Sequence, residues 1–234
     1  MVAPPTASGV AGRYAVPDAG PERPHCTEIV IRRSRFLAQC AHAPGPEAAR
    51  AFIDAVRRRH PDATHNCWAY AAGSPGDTAR VGSSDDGEPH GTAGRPMLQV
   101  LLHSGVGEAC LVVTRWFGGV KLGTGGLVRA YQDSAAGNLA SLPLRCKVRE
   151  TFLRVIVAYA HVDMLRRLLP AFEARLVAED YQAEARLTVC LPQEQAAAFA
   201  GALASRSNGR AACDVCPPPT ESAGLSAGAR YGLP

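Results

Sequence analysis

No stretch of about 18 consecutive apolar residues occurs in this 234-residue sequence, which excludes a membrane-spanning helix and sets a membrane partner aside. The chain does not open on a basic patch followed by an apolar segment. Met1-Val2-Ala3-Pro4-Pro5 leads instead into scattered glycines and prolines, so no secretory leader is expected. Cysteine is sparse for a disulfide scaffold: Cys26, Cys40, Cys67, Cys110, Cys146, Cys190, Cys213 and Cys216 follow no repeated spacing, which predicts a reducing, cytoplasmic setting. Cys213 and Cys216 form a lone CxxC without a second pair or nearby histidines. It lacks two of the four ligands of a structural zinc and reads as a strand-end coincidence rather than a metal or redox centre.

What is present is a globular composition, 47% hydrophobic and 20% charged with a mean hydropathy of −0.05. Residues 1–25 are rich in Pro, Gly and Ala without periodicity and are predicted as a flexible tail; residues 217–234 repeat that composition. Between them, residues 26–145 read as a first α+β domain. Short strands are predicted at Glu28–Ile31, Arg35–Cys40, His65–Ala72 and Ala109–Thr114. Helices are predicted from Pro46 to about Arg59, at 96–103, and from about Gly126, where Leu127, Tyr131, Ala135 and Leu139 recur every fourth residue. Pro143 closes this domain, and the pattern resets at Glu150. Residues 150–216 read as β-α-β-β-α-β, the order of a ferredoxin-like split βαβ domain. Residues 26–149 carry 15 Lys and Arg against 10 Asp and Glu, and residues 150–216 carry 7 against 8, so the positive excess belongs to the first domain. That balance is compatible with nucleic acid or phosphorylated ligands.

The most informative segment runs Arg115-Trp116-Phe117-Gly118-Gly119-Val120-Lys121-Leu122-Gly123-Thr124-Gly125-Gly126-Leu127. An apolar strand delivers a cation, two aromatics and a glycine-rich turn into a helix, with Thr124 placed to cap it. Helix N-termini present free N–H groups and partial positive charge, and glycine lets a ligand approach the backbone. Arg115, Lys121 and Arg129 add full charges, so the turn favours an anion such as a phosphate. The spacing fits neither the Walker A loop, which needs Lys where Thr124 stands, nor the GxGxxG dinucleotide fingerprint. A purely structural reading, in which the glycines serve positive φ and close packing while Trp116 and Phe117 sit in the core, stays open.

Two further constellations have dual readings. Asp85, Asp86 and Glu88 could hold Mg²⁺ through carboxylate oxygens, or could form a turn with acids that cap the helix at 96–103. The segment His65-Asn66-Cys67-Trp68-Ala69-Tyr70 puts His65 and Cys67 on one face of a strand and Trp68 and Tyr70 on the other. His65 and Cys67, with His90, are candidate catalytic groups; Trp68 and Tyr70 are candidate base-stacking faces; buried thiol and core aromatics are the structural alternative.

These residues, in this order, carry a resemblance. Ser34-Arg35-Phe36, Asp62-Ala63-Thr64-His65-Asn66-Cys67, Ser84-Asp85-Asp86-Gly87-Glu88-Pro89, Gly91-Thr92-Ala93-Gly94-Arg95-Pro96 and the Arg115–Leu127 segment resemble the YigZ/IMPACT family across most of residues 30–140. The resemblance implies a first domain similar to the second domain of ribosomal protein S5 and a second similar to the last domain of elongation factor G. It also implies an association with translation, since eukaryotic IMPACT proteins regulate it. The sequence departs from the family pattern at His90, at Trp116 and Phe117, where tyrosines are common, and at Lys121, where an apolar residue is frequent.

Three functions compete. The leading expectation is a protein that binds RNA or the ribosome, with Arg115, Lys121 and Arg129 on phosphates, the amides of Gly123, Thr124, Gly125 and Gly126 beside them, and Trp68, Tyr70 or Trp116 stacking on bases. The alternative is an Mg²⁺-dependent enzyme acting on a phosphorylated small molecule or nucleotide, with His65 or His90 as acid–base group. The third is a protein-interaction module.

Overall fold

The computed structural model describes residues 12–219. In chain order it runs β1 (Arg13–Pro17), β2 (His25–Ile31), β3 (Ser34–His42), α1 (Pro46–Arg59), β4 (His65–Ala71), β5 (Val81–Ser84), α2 (Gly94–His103), β6 (Ala109–Trp116), α3 (Thr124–Ser141) and β7 (Leu144–Val148). It continues with β8 (Glu150–Val157), α4 (Val162–Leu168), β9 (Arg175–Tyr181), β10 (Ala185–Pro192), α5 (Ala196–Arg206) and β11 (Ala212–Cys216). Among the described residues this α+β chain divides into two compact units, Tyr14–Lys147 and, with Arg13, the residues from Val148 onward. Among the described residues no helix is long and apolar enough to cross a membrane.

In the N-terminal unit a five-stranded antiparallel sheet has the order β2-β3-β6-β4-β5. β6, an apolar β-branched run, lies at its centre and is buried on both faces. One face packs on α1 through Phe52, Ile53 and Val56. The other packs on α2 and α3 through Met97, Leu101, Leu127 and Tyr131. α1 forms where expected, with Pro46 in its first turn, Ala49, Phe52, Ile53 and Val56 as its buried stripe, and three arginines in the last turn where the helix dipole favours cations.

Three expectations need correction. Residues 13–25, read as tail, hold β1 and the start of β2; β1 pairs with β7, Val16 is fully buried, and Tyr14 donates to Glu108 at 2.8 Å. Its Pro/Gly-rich surroundings hide a short strand whose partner lies more than a hundred residues away. The rest of the predicted tails, residues 1–11 and 220–234, lies outside the described residues. β5 is absent from the predicted strands: Gly82 pairs with Tyr70, and a Cβ on Gly82 would meet the Tyr70 ring at 2.6 Å. Finally, α3 begins at Thr124, which is its first residue and not its cap; the cap position is Gly123, at φ +74°, where a side chain would be strained.

In the C-terminal unit the antiparallel sheet order is β11-β8-β10-β9, the β-α-β-β-α-β arrangement expected. Its core joins Leu153, Val155, Leu187 and Val189 to Leu165, Phe199 and Leu203 from the helices. Cys213 aligns with Val155 and Cys216 with Phe152, so the pair points to opposite faces of β11.

Candidate nucleic-acid interface

The sheet edge where β6 ends carries two polar systems with different surroundings. Beneath the surface, Arg115 extends from β6 on the α3 side, only 5% exposed. Its Nη1 donates to Glu88 Oε1 at 2.5 Å and its Nη2 to Ser34 Oγ at 3.3 Å. Glu88 Oε1 also accepts from the Tyr131 hydroxyl at 2.8 Å. The Cys67 thiol reaches the Asp85 carbonyl at 3.0 Å and the Tyr131 oxygen at 3.3 Å. His65 Nδ1 donates to the Asp86 carbonyl at 2.8 Å, and its Nε2 lies 3.9 Å from Glu88 Oε2. Three strands, α3 and the 85–91 loop are thus tied by one buried polar brace. Burial raises the Cys67 thiol well above its ordinary range; the hydrogen bond to Tyr131 offsets this only partly, and three nearby carboxylates add to it. Its burial and these contacts suit Cys67 to a structural place in the brace rather than to the part of an activated nucleophile.

The three acids proposed for Mg²⁺ point to three different places. Asp85 accepts from the backbone N–H groups of Gly91, Ala93 and Gly94 at 2.7, 3.0 and 2.8 Å, so it caps α2 from a distance. Burial would raise its carboxyl, but these donors and the nearby His90 outweigh it and hold the carboxyl below its usual range. Asp86 accepts from Arg57 at 2.6 Å and from the Asn66 amide at 2.7 Å. Glu88 faces Arg115 and Tyr131. Among the described residues no three His, Cys, Asp or Glu side chains converge to hold a metal, and the three acids of this turn do not act as one ligand set. His90 is fully solvent-exposed, 3.8 Å from Asp85.

Above the surface, the chain leaves β6 as an open loop. The Phe117 amide donates to Thr64 Oγ1 at 3.0 Å, and the Gly118 amide lies 3.3 Å from Ser34 Oγ. Gly119 and Gly123 take positive φ with open space around them. The first helical bond of α3 runs from Leu127 N to Gly123 O, and no side chain caps the helix, leaving the amides of Thr124, Gly125 and Gly126 without intrahelical partners. Lys121 and Arg129 are exposed.

Arg115 therefore leaves the set of phosphate ligands, because its charge is engaged internally. The expected stacking residues also part company. Tyr70 is buried and stacks on Trp68 at 5.6 Å on the α1 face. Trp116 carries Arg35 3.7 Å above its ring and donates through Nε1 to Asp62 at 2.9 Å. The open aromatic is Phe117, 48% exposed, with Val120 beside it at 38%. Sequence reasoning also missed Arg32 and Arg33, exposed at the β2–β3 turn, at φ +45° and +68°. A Cβ on Gly118 would lie 2.0 Å from the Arg33 carbonyl oxygen, so turn and loop are in direct backbone contact. The sequence showed only a polar turn between the strands predicted at Glu28–Ile31 and Arg35–Cys40.

Fold and site define a two-unit α+β protein in which a buried polar brace underlies an open, cationic glycine loop. Residues 32–139 match the Impact N-terminal domain and residues 155–210 match a domain of unknown function, DUF1949. The chain is 45% identical over 179 residues to the IMPACT family member YigZ of Escherichia coli strain K12, covering 76% of this chain and 88% of that protein. It is 39% identical over 183 residues to an IMPACT family member of Haemophilus influenzae, covering 78% and 89%. A crystal structure described as that of a hypothetical protein matches with a TM-score of 0.64 and 41% identity, over 86% of this chain and 96% of the other. The chain belongs to the IMPACT family.

Proposed function

We propose that this protein acts in translation by binding RNA, free or within the ribosome, through the Phe117–Gly126 loop and the start of α3. The observation that carries this reading is the uncapped, solvent-facing N-terminus of α3 beside Lys121, which has no ion-pair partner among the described residues. Unpartnered amides, the positive end of an 18-residue helix and a mobile ammonium suit a phosphate. Matches to the rabbit and yeast proteins named for IMPACT, at 33% and 35% identity over about two-fifths of this chain, support a link to translation. We also read the N-terminal unit as similar to the second domain of ribosomal protein S5 and the C-terminal unit as similar to the last domain of elongation factor G.

The test is filter binding of total RNA and co-sedimentation with ribosomes across 50–200 mM KCl, with Lys121→Glu compared to the wild type. Binding that weakens with salt and falls several-fold in the variant is expected. Absence of binding to either target in the wild type, or equal binding by the variant, would overturn the reading.

A further inference from the structure

The β2–β3 turn is built against its own preference. Ile31 pairs with Ser34, so the turn consists of Arg32 and Arg33 alone, both left-handed at φ +45° and +68°. Turns of this kind favour Asn-Gly, because a Cβ is strained at positive φ. Here two long cationic side chains occupy both positions at an exposed tip, with no ion pair or side-chain hydrogen bond among the described residues. Strain held at a surface position in this way points to a surface role for the side chains.

The surroundings indicate what those side chains meet. The Arg33 backbone abuts Gly118, which places the tip against the loop that presents Phe117 and Lys121. One side of the Phe117 ring looks toward the buried Arg115 guanidinium, 5.7 Å from its centroid, and nearly half of the residue is open to solvent. The neighbouring acids are engaged: Glu28 pairs with Arg35 at 3.7 Å and Asp62 accepts from Trp116. The end of the sheet therefore offers cations and one open aromatic face with little opposing charge.

We infer that Arg32, Arg33, Lys121 and Phe117 form one site for single-stranded RNA, with the cations on successive phosphates and Phe117 stacked on an unpaired base. This rests on the RNA-binding reading above and narrows its ligand. A protruding ring stacks only on a base whose face is free, and a duplex offers none along its length. Neither a two-residue turn nor a glycine loop can read the deep major groove of A-form RNA.

The probe is a fluorescent twelve-nucleotide oligouridine, whose bases are unstacked, against a twelve-base-pair RNA duplex, read by anisotropy from 50 to 200 mM KCl. The wild type is expected to prefer the single strand, with a log–log salt slope of about −2 for three phosphate contacts. Arg32→Asn/Arg33→Gly suits the turn geometry, so it removes both charges without threatening the fold. It is expected to lower single-strand affinity roughly tenfold and to flatten the slope by about 1.4. Phe117→Leu is expected to weaken binding about fivefold or more with the slope unchanged. Duplex binding as tight as single-strand binding overturns the inference. So does an Arg32→Asn/Arg33→Gly protein that keeps its affinity while Lys121→Glu loses it, although the broader RNA reading then stands. If the wild type binds neither RNA, both fall together.

Discussion

Arg115 and Lys121 are six residues apart and carry the same charge, one just before the glycine loop and one within it, yet the fold uses them oppositely. Arg115 lies on the strand face packed by α3, where Glu88, Ser34 and Tyr131 enclose it. Lys121 follows Gly119, whose left-handed backbone turns the chain outward, and is left in solvent. Position relative to the sheet, and not charge, separates the two roles. Cations inside the sheet order the loop's foundation, and those outside it are free to meet a ligand. The same division runs through the aromatics, with Tyr131 inside, Trp116 covered by Arg35, and Phe117 open.

The strongest way to break this comparison is to remove the buried cation. Arg115→Ala leaves the Glu88 carboxylate buried without its ion pair, a loss worth about 3–5 kcal/mol. A large fall in the urea midpoint is expected. If Arg115→Ala instead keeps wild-type stability and loses only RNA affinity, Arg115 is a ligand after all and the division of roles is wrong.

Much of this architecture was legible along the chain, and the illegible parts share a cause. The α1 stripe of Ala49, Phe52, Ile53 and Val56 and the β-α-β-β-α-β order at 150–216 follow from local periodicity, which one sequence displays directly. β5 does not, because its Gly82 is a strand residue only by virtue of the Tyr70 ring lying over it. In the site, the strand alternation that parts His65 and Cys67 from Trp68 and Tyr70 was readable. So was the capping role open to the acids before α2. The engagement of Arg115 was not, since Glu88 lies 27 residues away in sequence and only the folded sheet brings them together. Arg32 and Arg33 escaped notice for a different reason: a two-residue polar turn is ordinary until its positive φ values are known.

Asp85 offers a smaller and pH-tunable test on the buried side. Its carboxylate accepts three backbone donors, and Asp85→Asn keeps the shape but loses the charge. A destabilisation of about 1–3 kcal/mol at pH 7 is expected, the range for hydrogen bonds to a charged group. The folded-state carboxyl is held below its ordinary value. Its contribution is therefore complete above the unfolded pKa of about 3.9 and is lost as the pH falls through the lower folded value. Urea midpoints of the wild type and Asp85→Asn should converge on acidification below about pH 4. A constant gap from pH 7 to pH 3 would mean the capping carboxylate is not what Asn removes.

The smallest expected effect is also the one that most sharpens the contrast, because its sign is opposite. On the open side, Arg32→Asn/Arg33→Gly replaces two strained residues with those the turn prefers. Left-handed backbone costs an ordinary residue about 1–2 kcal/mol, and the added freedom of glycine in the unfolded chain returns part of that. A net gain of about 1 kcal/mol is expected, seen as a higher urea midpoint at unchanged denaturant slope. Stability that rises while single-strand affinity falls is the signature of residues retained for binding at the expense of the fold. Stability that rises with affinity untouched would trace the strain to some other cause. Stability that falls would show that the arginine side chains support the turn, moving Arg32 and Arg33 to the same side of the comparison as Arg115.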